Sequence, residues 1–179
     1  MWWGTGEPMT TPKIIGHLTG CSELNRADQR ELAKYASLGL GIDSMPMRKD
    51  DPIRDELKHV INRAGYRVML DNSRCHPYDP WSYVTGMGSA FYHNDTGMGL
   101  QAAVMVAALP LKRSGYCEST CQFTSRGQWL DCQVGTVFVF NGDHDHAWIA
   151  NCRWCLATHS VRRIRNRHTT QRRTAEQRA

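Results

Sequence analysis

The spacing of apolar residues changes near residue 66, from a helical to an extended pattern. Before this point, Asp51-Pro52 is a helix start signal, because proline is well accepted at the first helical position. Gly65 is suited to end the same helix. The helix should pack on one face of a sheet through a single apolar stripe. That stripe comprises Ile53, Leu57, Val60, Ile61 and Ala64.

The segment before Asp51 carries weaker signals. Asn25 can cap a second helix that runs to about Leu38, where glycines follow, and this helix is expected on the same face of the sheet. The first twenty residues are rich in Gly, Pro and Thr and show no period, so they predict an irregular arm.

Eight short apolar or alternating runs follow residue 66, many of them separated by turn residues. Strands in close succession favour two packed antiparallel sheets in a jelly roll over alternating β-α units. The fold class is therefore α+β, mainly β, in a single domain over residues 1–179: an arm with two supporting helices at 1–65, a jelly-roll core at 66–163 and a basic tail at 164–179. The predicted strands are Tyr66–Leu70, Ser89–Tyr92, Leu100–Leu109, Ser119–Thr124, Gln128–Val134, Thr136–Phe140, Ala147–Ala150 and Arg153–Val161.

Composition narrows the class of protein. The chain has 179 residues, enough to bury a sizeable core. No run approaches the roughly 18 apolar residues of a membrane span. The first residues lack the basic and apolar regions of a secretion signal. Seven cysteines, an odd number, fit reduced thiols better than a disulfide framework. We therefore expect a soluble, cytoplasmic protein with no membrane partner.

The net charge of +5 is concentrated at the end of the chain. Residues 161–179 carry seven Arg and one Glu, a net +6, and the remaining 15 basic and 16 acidic residues nearly balance. Such a tail can contact phosphates or an acidic partner, or it can be a solvated terminus.

His93-Asn-Asp95 is the motif that indicates a metal-binding site. Side chains alternate in direction along a strand, so His93 and Asp95 lie on the same face and can bind one metal ion. A further imidazole is available some fifty residues later, from either His144 or His146, which have the same parity in an extended segment. Two imidazoles and one carboxylate are the ligand set of non-haem Fe(II) centres with open coordination positions.

The sequence resembles the 2-oxoglutarate- and Fe(II)-dependent oxygenases over roughly residues 66–163. Four local features carry the resemblance: Ser89–Asp95, the Gly135–Phe140 strand, the six-residue step from Phe140 to His146, and Asn151–Leu156. The resemblance implies a double-stranded β-helix core, with iron held by His93, Asp95 and His146. His146 is preferred over His144, because the glycine and acidic residues before it are similar to the loop before the family's distal histidine.

The resemblance also implies a cosubstrate site. An arginine near the start of the family's eighth strand binds the far carboxylate of 2-oxoglutarate, and that role falls on Arg153, whose bidentate guanidinium suits a carboxylate. Arg162 and Arg163 are alternatives from the basic end of the chain. The family often has Ser or Thr two residues after the arginine, and Cys155 stands there in this chain. The implied reaction uses dioxygen and 2-oxoglutarate, yields succinate, and hydroxylates the substrate, or demethylates it through hydroxylation.

The substrate is not specified by the sequence; a nucleic acid, a nucleotide or a protein side chain would each be compatible. Asp143 and Asp145 flank the predicted site and could receive a basic side chain. Tyr92 and Trp148 have opposite parity to the proposed ligands, so they are expected to pack behind the metal.

Two other functions are compatible with the sequence. Cys117-x3-Cys121 and Cys152-x2-Cys155 have spacings compatible with a structural zinc site, and the Arg-rich end of the chain could make such a module bind nucleic acid. Cys152 and Cys155 are three apart, however, and would face opposite ways on a strand, so they could bind one ion only if a tight knuckle replaced the strand. The cysteines are better explained as small buried groups. A cupin-like jelly roll that binds metal or ligand without turnover is the second alternative.

Overall fold

A computed structural model describes residues 11–23, 43–46, 50–69, 82–95, 97–110 and 121–164. The predicted helix from Asn25 to Leu38, Cys117 and the basic tail beyond residue 164 lie outside these ranges. The helices are α1 (Gly20–Glu23) and α2 (Pro52–Arg63). The strands are β1 (Lys13–His17), β2 (Asp43–Pro46), β3 (Tyr66–Val68), β4 (Ser82–Met87), β5 (Ala90–His93), β6 (Leu100–Pro110), β7 (Cys121–Ser125), β8 (Gln128–Asp131), β9 (Thr136–Asn141), β10 (His146–Ala150) and β11 (Cys152–Arg163).

These strands form two antiparallel sheets. The larger sheet has the order β1-β9-β6-β11-β4-β2, with β3 added beside β11. The smaller sheet has the order β5-β10-β7-β8. Strands β10 and β11 follow each other in the chain but belong to different sheets, so the turn at Asn151 carries the chain from one sheet to the other.

Aromatic side chains fill the space between the two sheets. Phe123 from β7 contacts both Phe138 and Phe140 from β9, with ring centroids 4.9 and 4.8 Å apart. Trp148 from β10 stacks on Trp154 from β11 with centroids 5.6 Å apart. These rings belong to one buried cluster shared by both sheets. The arrangement confirms the predicted mainly β, two-sheet jelly roll.

Helix α2 covers the outer face of the larger sheet. Its Ile53, Leu57 and Ile61 are buried in a second cluster with residues of β6 and β9. Asp51 caps the helix, because one of its carboxylate oxygens accepts the Ile53 N–H at 3.0 Å. The other oxygen accepts the Tyr83 hydroxyl at 2.7 Å and so ties the cap to β4. The helix predicted from Asp51-Pro52 is confirmed.

No helix in the ranges given above is long and apolar enough to cross a membrane.

The sequence did not predict β1, β2 or β4. The expectation of an irregular arm was wrong for Lys13–His17, which pairs antiparallel with β9. The reason is non-local: β1 is an edge strand whose partner lies more than a hundred residues away, and its Ile14 is exposed, so no clean alternation marks it. Gly16 lets α2 approach, because a Cβ there would come within 2.6 Å of the Val60 side chain.

The free energy of unfolding should fall at alkaline pH because of Cys21, which lies in α1 and is fully buried against α2. Burial, aided by the nearby carboxylates of Glu56 and Asp51, raises the pKa of this thiol from 9.0 to about 12. Above pH 9 the unfolded chain releases a proton that the folded chain retains, so stability present below pH 9 is lost as the pH rises toward 12. We expect wild type to lose about 1 kcal/mol more than Cys21→Ala between pH 8 and pH 10. Urea unfolding at both pH values measures the difference, and equal losses in the two proteins would refute this.

Candidate metal centre

Three potential metal ligands converge where β5 and β10 meet. The two strands pair antiparallel with His93 directly opposite His146, so their imidazoles lie side by side with ring centroids 4.5 Å apart. Asp95 follows β5 after one intervening residue. The ligand atoms of His93, Asp95 and His146 all lie within 4.8 Å of one another. Within the described ranges, this is the one group of three or more such side chains that could hold a metal ion.

The carboxylate of Asp95 faces both imidazoles. Its Oδ1 lies 3.9 Å from His93 Nε2, and its Oδ2 lies 3.5 Å from His146 Nε2. Both distances are longer than an ordinary hydrogen bond. They are also shorter than the distance between two ligand atoms on opposite sides of one metal ion, so the three side chains surround a small common space. One divalent cation in that space could be bound by all three.

Both imidazoles present the same nitrogen to this space. His93 Nδ1 lies 2.8 Å from the Phe91 carbonyl oxygen, and His146 Nδ1 lies 2.8 Å from the His144 carbonyl oxygen. A carbonyl can only accept, so each Nδ1 must carry the proton, which leaves the lone pair on Nε2. Hydrogen bonds of this kind orient histidine ligands in metal sites. The backbone therefore holds both rings in the form that binds a metal.

The group spans the boundary between interior and solvent. The His146 side chain is 4% exposed, whereas those of Asp95 and His93 are 34% and 41% exposed. Burial lowers the pKa of His146, which favours its neutral, metal-binding form. One side of the group is thus enclosed by protein, and the other is open to a ligand.

His144, the alternative to His146, does not join the group. It lies half-buried in the turn between β9 and β10 and contributes its carbonyl oxygen to orient His146. His146 lies beside His93 and Asp95 because it is the first residue of β10 and is paired with His93 of β5.

The acidic residues of this turn bind the neighbouring loop. Asp143 Oδ1 accepts the Gly97 N–H at 2.7 Å, and Asp145 Oδ1 accepts an N–H of the Asn94 side chain at 3.0 Å. Asp143 Oδ1 also lies 3.4 Å from the Gly99 nitrogen. These carboxylates therefore position the loop that carries Asp95, a role that the sequence analysis did not assign to them.

Gln101 is a polar contact of the site that the sequence analysis missed. It is 6% exposed, and its Nε2 donates to Asp95 Oδ2 at 2.8 Å. One feature of the sequence could have indicated this contact: Gln101 is a polar residue near the start of the otherwise apolar strand β6, six residues after Asp95.

Tyr92 does not pack behind the group as predicted. It is 60% exposed, and Phe91 beside it is 94% exposed, because β5 is an edge strand of the smaller sheet. Trp148 is buried in the interior cluster, as expected for a packing residue.

All three candidate arginines lie on β11. The backbone of Arg153 lies on β11, opposite Leu109 of β6 and Met87 of β4, and its side chain is outside the described structure. Arg162 and Arg163 are exposed near the end of β11, where they pair with β3.

Two of the cysteines proposed for a zinc site meet in the interior. The Sγ atoms of Cys121 and Cys152 lie 2.9 Å apart, and both residues are buried. Their mutual hydrogen bond and burial raise the pKa of Cys121, whereas the same hydrogen bond lowers the pKa of Cys152, so the pair disfavours two thiolates at once, which zinc would require of them. Cys117 and the side chain of Cys155 lie outside the described residues.

Solved structures provide a comparison for this arrangement. A prolyl hydroxylase in complex with a hypoxia inducible factor oxygen degradation domain peptide fragment from Trichoplax adhaerens is similar in structure, with a TM-score of 0.51 and 12% sequence identity over 87% of this chain and 84% of that chain. This chain has the double-stranded β-helix fold. In it, the His93, Asp95 and His146 group lies where the smaller sheet meets the loop before β6.

Two further solved structures have TM-scores below 0.5. A prolyl-4-hydroxylase from Pseudomonas putida gives a TM-score of 0.45 at 14% identity, over 88% of this chain and 95% of that chain. A cupin superfamily protein from Desulfitobacterium hafniense gives 0.37 at 11% identity, over 89% of this chain and 100% of that chain. No protein-family model and no curated protein matches the sequence.

Proposed function

We propose that this protein is a 2-oxoglutarate- and Fe(II)-dependent oxygenase. The observation that carries the proposal is the convergence of His93 Nε2, Asp95 and His146 Nε2 within 4.8 Å, on a double-stranded β-helix. Two imidazoles and one carboxylate on one side of an ion suit Fe(II) with vacant positions. The open side beside His93 gives small ligands and a substrate access to those positions.

The residues present fit the metal in both charge and orientation. Each imidazole has its Nδ1 proton engaged by a carbonyl, and Asp95 supplies one negative charge. Bound iron with 2-oxoglutarate and dioxygen would supply the oxidising chemistry, and this chain's residues would position the reactants and exclude water.

Arg153 is our proposed partner for the far carboxylate of 2-oxoglutarate. A guanidinium binds a carboxylate through two parallel hydrogen bonds. Removing it should therefore weaken cosubstrate binding without removing the metal. We expect Arg153→Met to raise the Kd for 2-oxoglutarate at least about 10-fold, since a charge-assisted pair contributes about 1.5–3 kcal/mol.

Anaerobic calorimetry of the Mn(II)-loaded protein would measure this binding. Arg163→Met is the matched control, because Arg163 is an exposed arginine of the same strand. Unchanged 2-oxoglutarate affinity in Arg153→Met would exclude the assignment, and a loss confined to the Arg163 variant would transfer the role.

The primary substrate is proposed only as a class. The prolyl hydroxylase of similar fold is in complex with a peptide, which places a protein side chain among the substrates to screen here. Nucleotides and nucleic acids belong in the same screen because of the Arg-rich end of the chain. Phe91 and Tyr92, the exposed aromatic residues that precede His93 on β5, could contact any of these.

The test of the proposed function is succinate formation. Purified protein is incubated in air with 2-oxoglutarate and Fe(II), with and without the substrate pool, and succinate is quantified. Succinate that requires both iron and the intact triad supports the proposal. Metal bound by the triad without any succinate would instead support a cupin-like binding protein, and stoichiometric zinc on cysteines would support the zinc module.

A further inference from the structure

Gln101 is a buried polar side chain in an apolar strand. It is the second residue of β6, and its neighbours at the same parity, Ala103 and Met105, belong to the cluster between the sheets. Gln101 itself is 6% exposed. A buried amide is costly unless it is hydrogen-bonded, so its partner indicates why a glutamine is placed there.

That partner is the carboxylate of Asp95. Gln101 Nε2 donates to Asp95 Oδ2 at 2.8 Å, and the Asp95 carboxylate also faces both imidazoles of the group. The donor is neutral, so it fixes the direction of the carboxylate without cancelling its charge. A lysine or arginine in the same place would neutralise the ligand and compete with a cation.

Gly142 makes room for this contact. A Cβ at Gly142 would overlap with Gln101 Nε2 and come within 3.3 Å of the Asp95 Cβ. The backbone of Gly142 is also engaged: its carbonyl accepts the Asp95 N–H at 2.7 Å, and its N–H donates to the Gly99 carbonyl at 2.7 Å. The turn after β9 and the loop before β6 are thus joined around the Gln101 amide.

We propose that Gln101 is a positioning residue for Asp95, and that it sets the affinity of the His93, Asp95 and His146 group for a divalent metal. The inference rests on the proposed function in one respect, since it requires that this group binds a metal. Without the amide, the Asp95 carboxylate can rotate away from the imidazoles, and metal binding must restore its orientation. Hydrogen-bond partners of metal ligands typically contribute 10- to 100-fold in affinity.

The test uses Co(II), whose binding can be followed by its visible absorption as well as by calorimetry. Gln101→Met keeps an unbranched side chain of similar length and removes the donor. We expect its Kd for Co(II) to rise about 10- to 100-fold and the absorption bands of the bound ion to shift. Gln122→Met is the matched control, because Gln122 Nε2 donates to Asp131 Oδ1 at 2.6 Å on β7 and β8, outside the metal group. The control should bind Co(II) as wild type does.

A second variant approaches the same contact from the other side. Gly142→Ala leaves Gln101 in the sequence but displaces its amide, and Gly142 does not have a positive φ that would forbid alanine. It should weaken Co(II) binding in the same direction. Because both variants break one contact, their effects should not add in the Gln101→Met/Gly142→Ala double variant.

The outcomes separate this inference from the proposed function. Wild type that binds no Co(II) would overturn both. Wild type that binds Co(II), together with Gln101→Met and Gly142→Ala that bind it with unchanged affinity and spectrum, would overturn only the role of Gln101. Weakened binding in these variants but not in Gln122→Met would support it, with the melting temperature of each metal-free variant confirming that it is folded.

Discussion

Asp95→Ala and His93→Ala are each expected to abolish metal binding and iron-dependent turnover. Each removes one of three converging ligands, and a direct ligand should contribute more than the roughly 10- to 100-fold of an outer hydrogen-bond partner. Both side chains are at least one-third exposed, so their truncation should leave the fold intact. Calorimetry with Co(II) and succinate formation with Fe(II) measure the two losses, and circular dichroism reports the fold.

His144→Ala is the control for these two variants. His144 lies in the same turn as His146, but its ring is not part of the group, so metal affinity should stay within a few-fold of wild type. Full activity in Asp95→Ala or His93→Ala would exclude the triad. A larger loss in His144→Ala than in His93→Ala would mean that the ligand set differs from the one proposed.

The second large effect is expected for Trp154→Ala, which should lower the free energy of unfolding by about 4 kcal/mol. Trp154 is 1% exposed, stacks on Trp148, and donates its indole N–H to the Gly88 carbonyl at 2.9 Å. Its ring occupies the space over Gly86, where an added Cβ would overlap with it. Truncation leaves a large cavity where both sheets contribute to the core, and it leaves the Gly88 carbonyl without this donor.

Trp129→Ala is the matched tryptophan control for this measurement. Trp129 is 53% exposed on the edge strand β8, so its loss should change stability by about 0.5 kcal/mol or less. Urea denaturation of both variants gives the comparison. Equal destabilisation by the two replacements would contradict the interior that we describe.

The two-sheet core and α2 could be predicted because their signals are local. Strands β6 and β9 each contain a clear apolar run, and α2 has a cap, a proline and an apolar stripe close together in the sequence. Strands β1 and β2 gave no such signal. Each is held by backbone pairing to a strand distant in the sequence, with β1 on β9 and β2 on β4. Pairing of this kind leaves little trace in the side-chain pattern of a short edge strand.

The candidate site could likewise be predicted only where its signals are local. Parity placed His93 and Asp95 on one face, but parity alone left both His144 and His146 available. The register of β5 against β10 brings His146 into the group, and register is a property of paired strands. The exposure of Tyr92 was missed because it depends on β5 being an edge strand. The contacts of Gln101 and Asp143 with the Asp95 loop were missed because they depend on how two loops meet.

The most direct test is a crystal structure of the protein grown with Mn(II) and 2-oxoglutarate, with anomalous scattering used to locate the metal. We predict one manganese peak within coordination distance of His93 Nε2, Asp95 and His146 Nε2, with 2-oxoglutarate bound to the same ion and its far carboxylate directed to Arg153. Manganese elsewhere on the chain, or three ligands that converge without any metal at saturating Mn(II), would contradict the proposed oxygenase.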